Sequence, residues 1–443
     1  MKSKKTVYYL FTSLFVSILL VQNVWCAEDI ELSVQVSAPL NSPEFSLATA
    51  LETACPDIPN SESDEEQTLF ALCEFYLDET RGTPEQKSII ISELSAKNTT
   101  SNNTGISRPP ISPGQNGINM RLAALRKGTR TLVNSYRFKA YRNNKKSNNA
   151  QDEGGLLSNK LSAYLNASMA SGEHIETNTE MGFDDSSKAI LLGFDYRLHT
   201  NTFVGLASNY TTSELALSDP GSDISASMAQ FIVYGSHFLN QNTYLQFSFQ
   251  GTRHNIDMSR SINFQLDTGP VNEIANATTS GNQIGFNLSG GYDRHIMMGY
   301  NAGITGALNY QSSSLDAYTE KNAKAYNLHV NEQNISSLTS DIKATVSATY
   351  SFPWGVFLPQ ISANWIHEFQ QAGDQITANF SSDINGNKFS FDMQDVDPNY
   401  FTFSFNGQVL LPKGRSAFIG LTTIQRLRDR EQWVAMIGYR QEF

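Results

Sequence analysis

The sequence predicts an all-β protein, a twelve-stranded antiparallel transmembrane β-barrel preceded by a small helical N-terminal segment. Three observations carry this expectation. From about Lys160 onward apolar and polar residues alternate with period two, as where Phe401, Phe403 and Phe405 interleave with Thr402, Ser404 and Asn406. Strand candidates number twelve, an even count, and tight connections (HTNT, NQNT, MMG, PWG, PKG) alternate with longer polar ones around 171–186, 216–221, 257–276, 315–332 and 371–396. Aromatic residues gather beside the tight turns, at Tyr196 and Phe203, Phe238 and Tyr244, and Phe352, Trp354 and Phe357, where an interfacial girdle belongs. Alternation alone would also suit a soluble sandwich. A lipid-embedded sheet, however, has no partner for a free edge and must close.

Taken in order, residues 1–26 read as a cleavable bacterial secretory signal. Lys2, Lys4 and Lys5 precede an apolar stretch from Val7 to Val21, with cleavage expected after Cys26 or Ala27. Trp25 is too bulky for the residue before a lipidated cysteine. No second long apolar run follows, so no membrane-spanning helix is expected. A net charge of −11 argues against a nucleic-acid partner, and 17% charged with 11% aromatic residues suits a chain with one face in lipid.

Residues 27–97 read as a short helical segment. Thr83-Pro84-Glu85-Gln86 has the signature of an N-cap, Pro at the first helical position and a capping-box Gln, ahead of Ile90, Ile91 and Leu94. Phe70, Leu72, Cys73 and Leu77 mark a preceding helix. Once the signal is removed, Cys55 and Cys73 are the remaining cysteines, and an oxidising compartment favours a disulfide between them. Two cysteines without a nearby His do not make a zinc site. Residues 98–117 carry the Pro, Gly, Ser and Asn load of a linker. Residues 118–154 form a basic helix or linker, with Ile118, Leu122 and Leu125 at helical spacing and Arg121, Arg126, Arg130 and Arg137 among its cations.

The barrel is expected over 155–443, and strand phase sorts its side chains. With Ile190, Leu192, Phe194 and Tyr196 toward lipid, Asp195 and Arg197 face the lumen; with Ile419 and Leu421 toward lipid, Arg426, Arg428 and Arg430 face inward near the loop end. Glu368 is likewise inward and His367 outward. In the closing stretch WVAMIGYRQEF, Trp433, Ile437, Tyr439 and Phe443 share the lipid side, and the strand is expected to pair back near Leu161.

Three segments resemble the autotransporter β-domain of type V secretion: GFDDSSKAILLGFDYRLHTNTFVGLASNYTTSE (182–214), GVFLPQISANWIHEF (355–369) and the terminal GYRQEF, in that order. The resemblance implies a translocator barrel in the outer membrane of a Gram-negative bacterium, with a helix through the pore and an N-terminal passenger. It also implies that the barrel-assembly machinery reads the terminal aromatic strand. Under it the basic run becomes a lumenal plug; a solvated linker helix is the alternative. Only about residues 27–117 are available as passenger, and they lack the solenoid repeats typical of passengers.

No Gly-x-Ser-x-Gly elbow, His-Glu-x-x-His helix or phosphate loop occurs, so the sequence calls for no enzyme, cofactor or metal. A surface hydrolase would have to draw on loop residues such as His174, His254 and His329 with Asp184, Asp185 or Asp257. A porin-like channel is the other alternative to the translocator.

Overall fold

The computed structural model describes residues 43–55, 64–107, 109, 111–125, 160–297, 299–370, 375–383, 385–393 and 395–443. The expected signal, together with Arg126, Arg130 and Arg137, lies outside them.

Twelve strands form the barrel: β1 (Leu161–His174), β2 (Phe183–His199), β3 (Thr202–Leu217), β4 (Asp223–Phe238), β5 (Thr243–Leu266), β6 (Gly269–Met297), β7 (Tyr300–Leu315), β8 (Gln333–Ala348), β9 (Gly355–Glu368), β10 (Asn399–Leu411), β11 (Arg415–Gln425) and β12 (Arg430–Glu442). Each pairs antiparallel with its neighbours in the chain. Closure comes from β12 against β1, in a register running from Ser162 opposite Glu442 to His174 opposite Arg430. The alternation is inside out relative to a soluble protein. Along β2, Ile190, Leu192, Phe194 and Tyr196 are exposed outward, while Asp185, Ser187, Leu191 and Asp195 are buried inward. An apolar outer belt around a polar lumen is the arrangement lipid demands.

The loop end is more ordered than the sequence suggests. The stretch 257–276, expected as a long loop, continues β5 and β6 as one hairpin that turns only at residues 267 and 268. The reason is that period two never stops: Ile256, Met258, Arg260, Ile262, Phe264 and Leu266 all lie on one buried face. The connections 315–332 and 371–396 also fold together. Their short strands Tyr318–Thr319, Leu328–Val330, Gln375–Phe380 and Phe389–Asp392 make a separate four-stranded sheet.

Helices α1 (Pro43–Ala54), α2 (Asp64–Leu77) and α3 (Pro84–Leu94) gather at this end; α1 meets the strand Phe389–Asp392, and α3 meets β5. A disulfide joins Cys55 to Cys73, tying the end of α1 to α2. Thr83 caps α3 with a complete capping box. Residues 98–117, expected as a linker, are instead largely helical: α4 (Lys97–Asn102), a π-helical turn (Asn103–Ser107) and the start of α5 (113–125). Asn98 through Asn103 are buried. The polar composition that suggests a solvated linker is also what a segment enclosed by a polar lumen needs, because each buried donor or acceptor must find a partner there.

Candidate functional site

Helix α5 runs inside the barrel. Gly117 permits its approach to the β1–β2 wall, since a Cβ at that position would meet the Leu191 side chain at 2.7 Å. One face of the helix, Ile118, Leu122 and Leu125, packs in a buried cluster with Tyr164, Leu191, Phe203, Ile232, Tyr234, Phe238 and Tyr244. Phe203, Phe238 and Tyr244 therefore do not join a lipid girdle. Their strand phase turns them inward, where they seat the helix; Tyr196, Phe352 and Trp354 do face outward.

Arg121 sits at the centre of the contact. Its Nε donates to Asp195 Oδ2 at 2.8 Å, its Nη2 makes a second contact with the same carboxylate, and its guanidinium lies 5.3 Å from the Tyr164 ring centroid. Tyr234 donates its hydroxyl to Asp195, and Ser162 donates at 3.0 Å. Ser162 also accepts from Arg440 at 3.2 Å, so the network bridges the seam where β12 meets β1. Gly193 and Gly205 leave the space that the Tyr164 and Tyr234 rings occupy.

The other inward candidates separate. Arg197 lies at the short-turn rim, its guanidinium 5.2 Å from the Phe203 ring centroid. Glu368 is buried and accepts from Ser337 Oγ at 2.6 Å and from the Leu338 and Gln370 amides. Arg430 is buried, 3.5 Å from Asp185, and donates to the Thr104 carbonyl at 2.9 Å. Arg426 and Arg428 are not inward residues of the strand, although Arg428 borders the lumenal cavity. Strand β11 ends at Gln425, and positive φ at Arg426 and Asp429 turns the chain, leaving both arginines exposed, with Arg428 paired to Asp397.

At the loop end Arg260 donates through Nε and Nη2 to the two Glu320 oxygens at 2.9 and 2.6 Å, and through Nη1 to the Glu93 carbonyl of α3 at 3.0 Å. Thr99, Thr100, Ser101 and Asn103 fasten α4 and the π-turn to Tyr318, the Thr179 and Met181 carbonyls, and Gln333. Burial raises the Glu93 carboxyl above its ordinary range, with nearby Asp219 adding to the shift and the Asn263 amide and Arg260 opposing it. Sequence reasoning did not find this cluster, although the unbroken alternation through Arg260 was a readable signal.

The three histidines have separate settings. His174 Nε2 lies 2.9 Å from Glu180, His254 is buried on β5, and His329 contacts Thr319 at 2.8 Å. Asp184 is exposed, Asp185 serves Arg430, and Asp257 accepts from Thr278.

The closing strand carries Trp433, Ile437, Tyr439 and Phe443 on its exposed side, and the Phe443 amide donates to the Leu161 carbonyl at 2.9 Å. The family profile described as Autotransporter beta-domain matches residues 163–422. The chain belongs to the autotransporter β-domain family. Among solved structures, this autotransporter is similar to the translocator domain of NalP from Neisseria meningitidis, at 14% identity and TM-score 0.51 over 72% of this chain and 97% of that one. It also matches the β-domain of BrkA from Bordetella (11%, TM-score 0.47, 64% and 100%) and the transport unit of AIDA-I from Escherichia coli (13%, TM-score 0.43, 73% and 98%). No curated protein sequence matches it. The autotransporter barrel belongs to the outer membrane of a Gram-negative bacterium, with its apolar belt against lipid.

Proposed function

We propose that this translocator delivers its own residues 43–107 to the cell surface and keeps them there as a folded cap, with α5 retained as the plug, rather than releasing a cargo. The observation that supports this is that the described residues cross the lumen from the loop end to the short-turn end through α5. Glu93 and α4 are bound at the loop end, Arg121 is bound at the short-turn end, and β1 starts from the short-turn end. Long loops of such barrels face outward, which makes the cap extracellular. On this reading residues 1–26 are a cleaved export signal, the basic run belongs to the plug, and the assembly machinery recognises the closing strand. The protein has no catalytic role of its own.

Protease digestion of intact cells tests the reading: residues 43–107 should be accessible, or become so once the cap is loosened by reduction of Cys55–Cys73. Protection of this segment from outside, with cleavage only after the outer membrane is opened, would turn the cap into a periplasmic domain. Deleting Phe443 should lower the amount of heat-modifiable barrel in the outer membrane; an unchanged amount would remove the terminal residue from the assembly signal.

A further inference from the structure

Among the described residues, the plug fills the lumen on one side only. Along β2 the inward residues Asp185, Ser187, Leu191 and Asp195 are all buried. Along β8 the inward residues Ser337, Thr339, Asp341, Lys343, Thr345 and Ser347 are only half-buried, from near the loop end down to the strand's short-turn end. The cause is the amphipathic nature of α5. Its apolar stripe is seated on the β1–β5 wall, and a single helix of about 10–12 Å diameter does not span the rest of the lumen. The opposite helix face, with Gln115 and Asn119, borders a cavity of about 1200 Å³ against β7–β10. At roughly 30 Å³ per water this holds about 40 waters. Farther toward the short-turn end, a cavity of about 30 Å³ lies between Ala123 and Ala124 of α5 and Gln408.

We infer that a narrow, water-filled path for small hydrated cations runs beside the plug along β8, so that the capped barrel stays permeable to them. The β8 stripe offers the hydroxyls of Ser337, Thr339, Thr345 and Ser347 with Asp341 and Lys343, of opposite charge, between them, and the amides of Asn309 and Asn364 border it; such polar groups can stand in for a cation's hydration. Charge supplies the sign. Asp392, Asp395 and Asp429 line the outer part of the cavity, and among the described residues no basic side chain forms an ion pair with them. The cavity's Lys and Arg residues are Lys343 on the β8 stripe itself, Arg428 paired to Asp397 and Arg430 paired to Asp185, against the seven carboxylates of Glu180, Asp341, Glu368, Asp392, Asp395, Asp397 and Asp429, so the balance is negative.

The test uses the full chain in planar bilayers under a KCl gradient, with single cysteines probed by a cationic methanethiosulfonate. The unmodified protein should conduct, with a reversal potential favouring K⁺. Reagent should remove most of the current from Ser337→Cys and Thr345→Cys, near the two ends of the β8 stripe, and none from Ser187→Cys on the sealed wall. Asp392→Asn with Asp395→Asn and Asp429→Asn should shift the reversal potential toward zero. Absence of current from heat-modifiable barrels, block at Ser187→Cys equal to that at Thr345→Cys, or a preference for chloride would each overturn the inference. None of these results would touch the barrel's membership of the family or the position of the cap.

Discussion

The two ends of the lumen use the same chemical device in different ways. At the short-turn end a helix side chain, Arg121, is bound by the Asp195 carboxylate of a barrel strand, and the network reaches across the β1–β12 seam. At the loop end Arg260 of a barrel strand is bound by Glu320 of a connecting segment, and the cap is held through the Glu93 carbonyl. The first pair fixes the plug within the barrel; the second fixes the loops to one another and, through them, the cap. A buried arginine and carboxylate gain little over an apolar pair, but removing one partner strands a charge away from water. The two pairs are therefore better understood as specifying register than as sources of net stability.

The largest effect is expected at the short-turn end. Asp195→Ala leaves Arg121, Tyr234 and Ser162 without their common acceptor, and the loss should be about 3–5 kcal/mol, the usual cost of halving a buried pair. Thermal unfolding in detergent, followed by the heat-modifiable gel shift, measures it. Adding Arg121→Met should recover part of the loss. If the double variant is no more stable than Asp195→Ala, the arginine's stranded charge is not what the single substitution exposes.

Glu320→Ala should have a smaller and more local effect. It removes the partner of Arg260 and the acceptor of the Leu328 amide, but both groups sit among loops that can admit water as they loosen. Barrel unfolding should shift little, while amide exchange of α3 and Leu328–Val330 accelerates. A barrel destabilised as much as by Asp195→Ala would mean that the loop end is part of the barrel's cooperative unit.

How far each end was legible in the sequence follows from what constrains it. Lipid on one side and a polar lumen on the other impose period two on every strand, which is why the twelve strands, the inward Asp195 and the outward Trp433, Ile437, Tyr439 and Phe443 can be read directly. Arg121 stands out as a cation in a helical stretch, but nothing local assigns it to a carboxylate 74 positions away. Alternation misleads when carried past a strand end, as with Arg426 and Arg428, where the positive φ at Arg426 breaks the phase. Alternation also runs on past Ile256 to Leu266, which places Arg260 on a strand within a stretch whose composition suggests a loop. Residues 98–107 look like a linker because their partners, among them Tyr318, Gln333 and the Thr179 carbonyl, come from segments distant in the chain.

The smallest expected effect is a pH dependence confined to the loop end. Glu93 and Asp219 are both raised by burial; nearby Asp219 raises Glu93 further and Glu176 raises Asp219 further, while Arg260 opposes both shifts. A carboxyl whose folded value lies above its unfolded one binds its proton more readily in the native state. Its stabilising contribution is thus fully present below the ordinary carboxylate range, about 4, and is lost as pH rises through the raised folded value. The cap should therefore dock more firmly in mild acid than at neutral pH, seen as slower amide exchange in α3, with no matching change at Arg121. Glu93→Gln keeps an oxygen able to accept from the Asn263 amide, 2.8 Å from Oε2, but cannot ionise. This variant should show the firmer docking at neutral pH and a flatter pH profile. A profile as steep as the parent's would move the titration away from Glu93, leaving Asp219→Asn to show whether the second carboxyl carries it.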